Sequence, residues 1–151
     1  MQLRMRYDMG RRLVRSILYV STCTLSVTDG DRQVATIIDW SRRWNESVGI
    51  TGALIFTHEH FAQFIEGPEP AATHLFANIS RDSRHTEVDL IRERDADAHR
   101  FDGWSMAYSG PEIFLERELL PLINRQPGDA VEAPAEDLIL LMQAFSQNGT
   151  V

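Results

Sequence analysis

The feature that most constrains the fold is a pair of apolar runs separated by only three residues. The runs ITGALIF (50–56) and HFAQFIEG (60–67) flank the segment THE at 57–59. A connection this short joins antiparallel neighbours in a sheet. The sequence therefore predicts a β-hairpin, and the rest of the chain must supply strands and helices that complete a sheet around it.

The segments on either side of this hairpin alternate between strand and helix patterns. The predicted order is a strand at 15–22, a helix from Thr28 or Asp29 to about Trp44, the hairpin, a helix at 70–82, and strands at 86–96 and 103–110. This order, βαββαββ, is typical of one sheet with two helices on a single face. We therefore expect a ferredoxin-like α+β fold.

The first predicted helix carries an inward stripe that ends in a polar residue. Val34, Ile38 and Ser41 belong to an i, i+3, i+4, i+7 pattern, which marks one face of an amphipathic helix. Seven residues after Ile38 the same face reaches Asn45. The pattern predicts that the Asn45 amide points toward the core, just before a turn at Gly49.

Two further helical patterns follow the last predicted strand, at 112–124 and 134–147. A sheet with helices on one side needs cover on the other, and the apolar stripes of these helices suit that purpose. We divide the chain into an N-terminal arm at 1–13, a domain at 14–110 and a two-helix C-terminal tail at 111–151.

Composition and charge exclude several classes of function. The chain carries a net charge of −7 and would be repelled by phosphate backbones, so we expect no nucleic-acid partner. It holds no apolar run near the roughly 20 residues that span a membrane, and its basic start lacks the uninterrupted apolar segment of a signal peptide. Cys23 is the single cysteine and reads as a small buried residue. We expect a cytoplasmic protein with no membrane association.

Strand parity identifies polar side chains that the core must accommodate. In FAQFI, Gln63 shares a face with large apolar residues, and Tyr19 lies on one face of the first strand. A buried amide needs hydrogen-bond partners, since an unpaired one costs about 1–3 kcal/mol. From the residues alone, Gln63 belongs either to a structural core network or to a ligand site. The same parity predicts that Trp104, Met106 and Tyr108 share one face of the last strand.

Five motifs together resemble one known family. They are LYVS with Tyr19, N-x-x-x-G-I-T-G with Asn45, F-x-Q-x-x-E-G with Gln63 and Glu66, I-x-x-D-x-R-H with Asp82, Arg84 and His85, and W-S-M with Trp104 and Met106. In this order and spacing they resemble the BLUF domain, the family of blue-light sensors that use FAD. The likeness covers about residues 14–110, and its element order is the one predicted above.

The resemblance implies a non-covalent flavin whose ring lies between the two helices, on the face of the sheet that they cover. FAD is the expected cofactor, with FMN or riboflavin as alternatives. Asn45 would bond the carbonyl and imide edge of the ring, and Gln63 would lie between that edge and the Tyr19 hydroxyl. In the family, blue light moves an electron and a proton from the tyrosine to the flavin. The glutamine, here Gln63, then rotates or tautomerises.

The same resemblance implies supporting roles for five more residues. Arg84 and His85 would lie near the ribityl–phosphate side of the flavin. Trp44 stands where the family often has a polar or basic residue, and it would stack on or shield the ring. Met106 and Trp104 would carry the light-driven change outward from the hydrogen-bond network.

Other chemistries find less support in the sequence. His58 and His60 flank the predicted hairpin turn, but no third ligand lies nearby in sequence, so we expect no metal site. No nucleophile motif or Gly-rich phosphate loop is present, and we expect no enzymatic activity. Output would then pass to an unidentified downstream protein or through a homo-oligomer, a dimer or larger. The competing interpretations are a light-independent interaction module on the same fold and a small ferredoxin-like enzyme such as an acylphosphatase.

Overall fold

The computed structural model describes residues 13–148, apart from residue 105 and residues 110–112. In chain order, the elements of this part are β1 (Val14–Cys23), α1 (Gly30–Val48), β2 (Thr51–Phe56), β3 (His60–Gly67), α2 (Glu69–Ser80), β4 (His85–Ala96), β5 (Ala107–Ser109), α3 (Ile113–Ile123) and α4 (Glu132–Asn148). The predicted N-terminal arm lies outside the described residues except for Leu13. No helix in the described ranges is long and apolar enough to cross a membrane.

The strands form one sheet in the order β4-β1-β3-β2-β5. The pairs β1–β3, β1–β4 and β2–β3 are antiparallel, while β5 runs parallel to β2. Helix α1 crosses from β1 to β2 and leaves room between them for β3, and α2 carries the chain from β3 to the far edge at β4. This arrangement confirms the predicted ferredoxin-like α+β fold, with β5 added at the edge.

Helices cover the sheet on both faces. On the first face, α1 and α2 pack Val34, Ile38, Ala72 and Leu75 against the strands. On the second face, α3 and α4 bury a larger cluster whose strand members are Leu18, Val20, Ala53, Ile55, Ala62 and Phe64. Both sides of the central strands are therefore buried, which explains why β2 and β3 read as nearly continuous apolar runs.

Helix α1 is longer than the sequence suggested, and its end sets the position of Asn45. The helix continues to Val48, and Gly49 closes it in the left-handed conformation with φ of 78°. Glycine adopts this conformation without the steric cost of a Cβ atom. The predicted stripe is confirmed, because Val34, Ile38 and Asn45 are all buried.

The last strand differs from its prediction. Strand β5 spans only Ala107–Ser109, whereas the alternation in GWSMAYSG predicted 103–110. Gly103 has a φ of 86° and belongs to a turn in which the Trp104 amide donates to the Phe101 carbonyl. The prediction that Trp104 and Met106 share one strand face is therefore wrong, while the Tyr108 side chain, the third part of that prediction, lies outside the described part of the structure. Trp104 packs against the α3–α4 cluster, while Met106 packs on the α1 side.

Candidate functional site

A cavity of about 520 Å³ lies on the first face of the sheet, between α1 and α2. Its apolar walls come from both helices and include Ile37, Ile38, Leu75 and Ile79. Small-molecule sites are usually concave, mostly apolar and about 300–1,000 Å³ in volume. Size and lining therefore suit a flat organic ligand of medium size.

Two polar side chains form the floor of this cavity. In the antiparallel pairing of β1 and β3, Tyr19 lies directly opposite Gln63, so both side chains emerge on the cavity face. The Tyr19 hydroxyl donates to Gln63 Oε1 at 2.5 Å. Tyr19 is 3% exposed and Gln63 is 7% exposed. A hydrogen bond this short and this well shielded from water fixes the carbonyl end of the Gln63 amide on the tyrosine.

The nitrogen end of the Gln63 amide has a weaker hydrogen-bond acceptor, the sulfur of Met106. Gln63 Nε2 donates to Met106 Sδ at 3.7 Å. A thioether sulfur is a weak acceptor, so this contact holds the amide nitrogen less firmly than a carbonyl oxygen would. The three side chains form a continuous chain, Tyr19–Gln63–Met106, and all three line the cavity.

Burial controls the ionisation of the phenol. It raises the pKa of Tyr19 well above its ordinary value of 10.0, and the nearby negative charge of Asp82 raises the pKa further. Tyr19 is therefore a neutral hydrogen-bond donor across the physiological range. Loss of its proton must be coupled to loss of an electron or to proton transfer within the site.

Asn45 and a pair of tryptophans occupy the α1 side of the cavity. Asn45 is 1% exposed, and its side chain lines the cavity near the C-terminal end of the helix. Trp44 also lines the cavity, and its ring lies nearly parallel to that of Trp40, with centroids 6.3 Å apart and planes inclined by 6°. Trp40 is a cavity residue that the sequence analysis missed. Its position four residues before Trp44, on the same helix face, was the available signal.

The residues that follow α2 form a charged side of the cavity. Arg84 Nε donates to Asp82 Oδ1 at 2.9 Å, which lowers the pKa of the Asp82 carboxyl and raises that of the guanidinium. His85 is buried, with Nδ1 2.7 Å from Ser21 Oγ and Nε2 2.6 Å from the Ile79 carbonyl. The His85 ring meets Tyr19 edge-on at 5.9 Å. Arg84 and His85 both line the cavity.

The structure does not bring Trp104 to the cavity. Its backbone carbonyl accepts a hydrogen bond from the Gly52 amide at 3.1 Å, and its side chain packs on the opposite side of the sheet. Of the eight predicted site residues, the cavity is lined by Tyr19, Trp44, Asn45, Gln63, Arg84, His85 and Met106. The cavity also includes His74 and Asn78, which the sequence analysis did not single out.

The two hairpin histidines point in different directions. His58 Nε2 lies 2.8 Å from Asp31 Oδ1, whereas His60 Nδ1 lies 2.8 Å from Glu116 Oε2 on α3. Glu59, His60 and Glu116 are close enough to hold a cation, a grouping that sequence spacing did not reveal. The Glu116 carboxylate is already bonded by His60 and by the Thr57 hydroxyl at 2.6 Å, so we assign no metal to it.

The donor set fits a flavin. The edge of an isoalloxazine ring alternates carbonyl oxygens with an imide N–H, and an amide side chain offers both an acceptor and donors in return. Asn45 and Gln63 supply two such amides at the buried part of the cavity, and aliphatic residues form its walls. Arg84, whose side chain is 39% exposed, supplies a cation for an anionic substituent.

Comparisons with known proteins agree with this geometry. A family model described as BLUF, sensors of blue-light using FAD, matches residues 14–107. The photoactivated adenylate cyclase subunit beta of Euglena longa is 32% identical over 79 residues, which cover 52% of this chain and 9% of that protein. The blue light- and temperature-regulated antirepressor BluF of Escherichia coli (strain K12) is 30% identical over 83 residues, 55% of this chain and 19% of that protein.

A solved structure extends the likeness over most of the chain. BlrB, a BLUF protein in its dark state, superposes with a TM-score of 0.69 and 31% sequence identity. The superposition covers 91% of this chain and 98% of that one. The two curated relatives are much longer proteins, and the match to this chain spans only about a tenth to a fifth of their length.

Proposed function

The chain belongs to the BLUF family of blue-light flavin sensors, and from that premise we propose that it signals by rearranging the hydrogen bonds of Tyr19 and Gln63 beside a flavin bound between α1 and α2. The observation that carries this proposal is the chain Tyr19–Gln63–Met106 along the cavity floor, with its 2.5 Å bond between Tyr19 Oη and Gln63 Oε1. Because this chain borders a cavity of about 520 Å³, a ligand placed there can hydrogen-bond to it directly.

Each cavity residue has a proposed role toward the cofactor. Asn45 and Gln63 would hold the imide edge of the ring, and Trp44 would cover one side of it. Arg84 and His85 would lie toward the ribityl–phosphate part. Bound flavin would supply the chromophore that absorbs blue light and the acceptor for an electron.

The proposed light response depends on the difference between the two hydrogen bonds of the Gln63 amide, a short one at its oxygen from Tyr19 and a weak one at its nitrogen to Met106. Tyr19 would give an electron to the bound flavin and its hydroxyl proton to Gln63 Oε1, 2.5 Å away, while Gln63 Nε2 would release a proton toward the flavin so that the amide stays neutral. Gln63 then turns or tautomerises, so that its donor and acceptor ends exchange partners. Return of the proton and the electron to Tyr19 restores the dark arrangement.

The change would leave the cavity through Met106, because its sulfur contacts the Gln63 amide at 3.7 Å. Trp104, two residues earlier and on the other side of the sheet, would relay the movement toward α3 and α4. We propose that output then passes to a downstream protein or through a change of homo-oligomer in the cytoplasm, without nucleic acid and without catalysis by this domain. The cyclase activity in the name of one relative is a property of that protein.

FAD is the proposed cofactor, with FMN or riboflavin as the alternatives. Release of the flavin by denaturation, followed by mass spectrometry, identifies which one is bound.

The decisive experiment is an absorption spectrum before and after blue illumination of the purified full chain. We expect flavin absorbance, a small red shift under blue light and its reversal in the dark. A colourless protein that cannot be reconstituted with any of the three flavins would overturn the proposal and favour a light-independent interaction module.

A further inference from the structure

Glu66 is a buried carboxylate three residues after Gln63 on β3. It is 1% exposed and lies on the second face of the sheet, away from the cavity. A buried anion is costly unless hydrogen bonds satisfy it. Glu66 accepts three of them: one from the Thr51 hydroxyl at 2.7 Å, and two from the backbone amides of Arg100 and Phe101 at 2.8 and 2.7 Å.

These bonds fix the turn that precedes Met106. The Phe101 carbonyl in turn accepts from the Trp104 amide at 2.9 Å, and the Trp104 carbonyl accepts from the Gly52 amide at 3.1 Å. The Phe101 ring packs on Phe64 with centroids 5.5 Å apart. The turn is therefore hydrogen-bonded to β3 through the backbone amides of Arg100 and Phe101, and to β2 through the Trp104 carbonyl.

This turn connects the two faces of the sheet. Phe101 and Trp104 belong to the cluster under α3 and α4 on the second face. Met106 lies on the first face, where its sulfur accepts the contact from Gln63 Nε2. The Met106 carbonyl accepts a hydrogen bond from Arg42 Nε on α1 at 2.9 Å. Only two peptide units separate Trp104 from Met106, so the backbone offers a short route by which a displacement of the turn can reach Met106.

Arg100 extends the same anchor to α4. Its guanidinium donates to both carboxylate oxygens of Glu136, at 2.9 and 2.6 Å, and to Gln143 Oε1 at 3.0 Å. Gln143 Nε2 donates back to the Arg100 carbonyl at 3.1 Å. Bidentate arginine–carboxylate pairs are directional as well as strong. One residue thus joins Glu66 through its backbone and α4 through its side chain.

We infer that Glu66 is a positioning residue for the light response. It holds the 100–104 turn so that Met106 stays against Gln63, and Arg100 makes α4 respond when that hold changes. This role rests on the proposed function, because it concerns the geometry of the same hydrogen-bond network. A carboxylate suits it, since two acceptor oxygens can receive three donors at once, whereas an amide must turn its N–H₂ toward one of them.

The test is Glu66→Gln in the flavin-loaded full chain. The amide loses at least one of the three bonds, and a charge-assisted bond is worth about ten- to hundredfold in an equilibrium constant, so we take the lower end. We expect hydrogen exchange at the Arg100 and Phe101 amides to accelerate about tenfold in the dark. We also expect the red-shifted state to revert about tenfold faster, because Gln63 turns more freely when Met106 is less fixed.

Two control variants separate positioning from general stability. Glu69→Gln changes an exposed carboxylate at the start of α2, whose hydrogen bond is to Thr73, and should leave exchange and recovery unchanged. If Glu66→Gln does not fold, Thr51→Val removes one of the three donors, together with the Thr51 hydroxyl contact to His99 Nδ1 at 2.5 Å, and keeps both backbone bonds. It should shift recovery in the same direction by a smaller factor.

The proposed connection from the turn to α4 through Arg100 is tested by comparing Arg100→Gln with Arg94→Gln. Both arginines pair with the first turns of α4, but Arg94 does not belong to the turn and its side chain is 46% exposed. We expect a light-dependent change in hydrogen exchange of α4 in the wild type and in Arg94→Gln, and its loss in Arg100→Gln, with the red shift intact in all three.

The outcomes distinguish this inference from the proposed function. A wild-type protein without a red shift would refute the proposed function itself. A normal red shift, together with unchanged recovery and unchanged Arg100 and Phe101 exchange in Glu66→Gln, would refute only the positioning role. A lower melting temperature with unchanged recovery would assign Glu66 to stability alone and would likewise overturn the inference.

Discussion

Gln63→Leu tests the hydrogen-bond network most directly, because leucine keeps the bulk of glutamine and removes both of its polar ends. In the dark state, the Tyr19 hydroxyl loses its acceptor at 2.5 Å while it stays 3% exposed. An unsatisfied buried hydroxyl costs about 1–3 kcal/mol, and the lost contact with Met106 sulfur adds little. Because leucine is the more apolar side chain, part of this cost is offset, and we expect a net destabilisation of about 1–2 kcal/mol.

Two measurements on the same flavin-loaded sample check this prediction. For a chain of this length, 1 kcal/mol lowers the melting temperature by about 2–4 °C, so thermal unfolding should shift downward by about 2–8 °C. Because no amide remains to exchange partners, the light-minus-dark difference spectrum should be flat while the flavin stays bound.

The matched control for Gln63→Leu is Gln33→Leu. Gln33 is half-buried on α1, and its amide makes a long 3.4 Å contact with Asp29. This control should change stability by less than about 0.5 kcal/mol and keep the red shift. A normal red shift in Gln63→Leu would remove Gln63 from the mechanism. An unchanged melting temperature would mean that Tyr19 is satisfied by another group when the amide is gone.

Three further variants probe the cavity and the Arg100–Glu136 ion pair on the other face of the sheet. Tyr19→Phe should retain flavin and show no red shift in the light-minus-dark spectrum, whereas a normal shift would exclude the phenol. Asn45→Ala should weaken flavin affinity by up to about tenfold in equilibrium dialysis, the value of one ordinary hydrogen bond, and unchanged affinity would argue against a cofactor contact. The Arg100 guanidinium lowers the pKa of Glu136 from 4.5 to about 2, so the stability from this pair is present above pH 4.5 and is lost as pH falls toward 2. Because the Glu136 side chain is 35% exposed, solvent screening leaves about 1 kcal/mol, and Glu136→Gln should flatten the acid-unfolding profile by that amount.

Much of the cavity could be predicted because its residues follow short periodic patterns. The helix stripe through Val34 and Ile38 placed Asn45 on the buried face, and strand parity placed Gln63 among apolar side chains. The hydrogen bond between Tyr19 and Gln63 needed more than parity. It depends on the register of β1 against β3, in which two residues 44 positions apart lie opposite each other, and periodicity within each strand does not determine that register.

The errors and omissions share a different cause, which is dependence on long-range contacts. The alternation around Trp104 and Met106 is that of a strand, but Gly103 turns the chain and Glu66 holds the turn through backbone amides. These contacts put Trp104 and Met106 on opposite sides of the sheet. Backbone amides carry no sequence signal, so the partners of Glu66 were invisible until the fold was known.

Two buried polar side chains on β3, Gln63 and Glu66, differ in how firmly hydrogen bonds hold them, and this difference suits them to different roles. Glu66 accepts hydrogen bonds from three donors, two of them backbone amides of one turn. Gln63 is held firmly at its carbonyl by Tyr19 but only by a sulfur atom at its nitrogen. A group held unevenly beside a cavity can change partners at low cost, and a ligand with its own donors and acceptors can bias that choice. The two residues lie three positions apart on β3, with their side chains on opposite faces of the sheet. Because close-packed interiors transmit strain, a rearrangement at Gln63 can act on the strand segment that Glu66 links to the 100–104 turn.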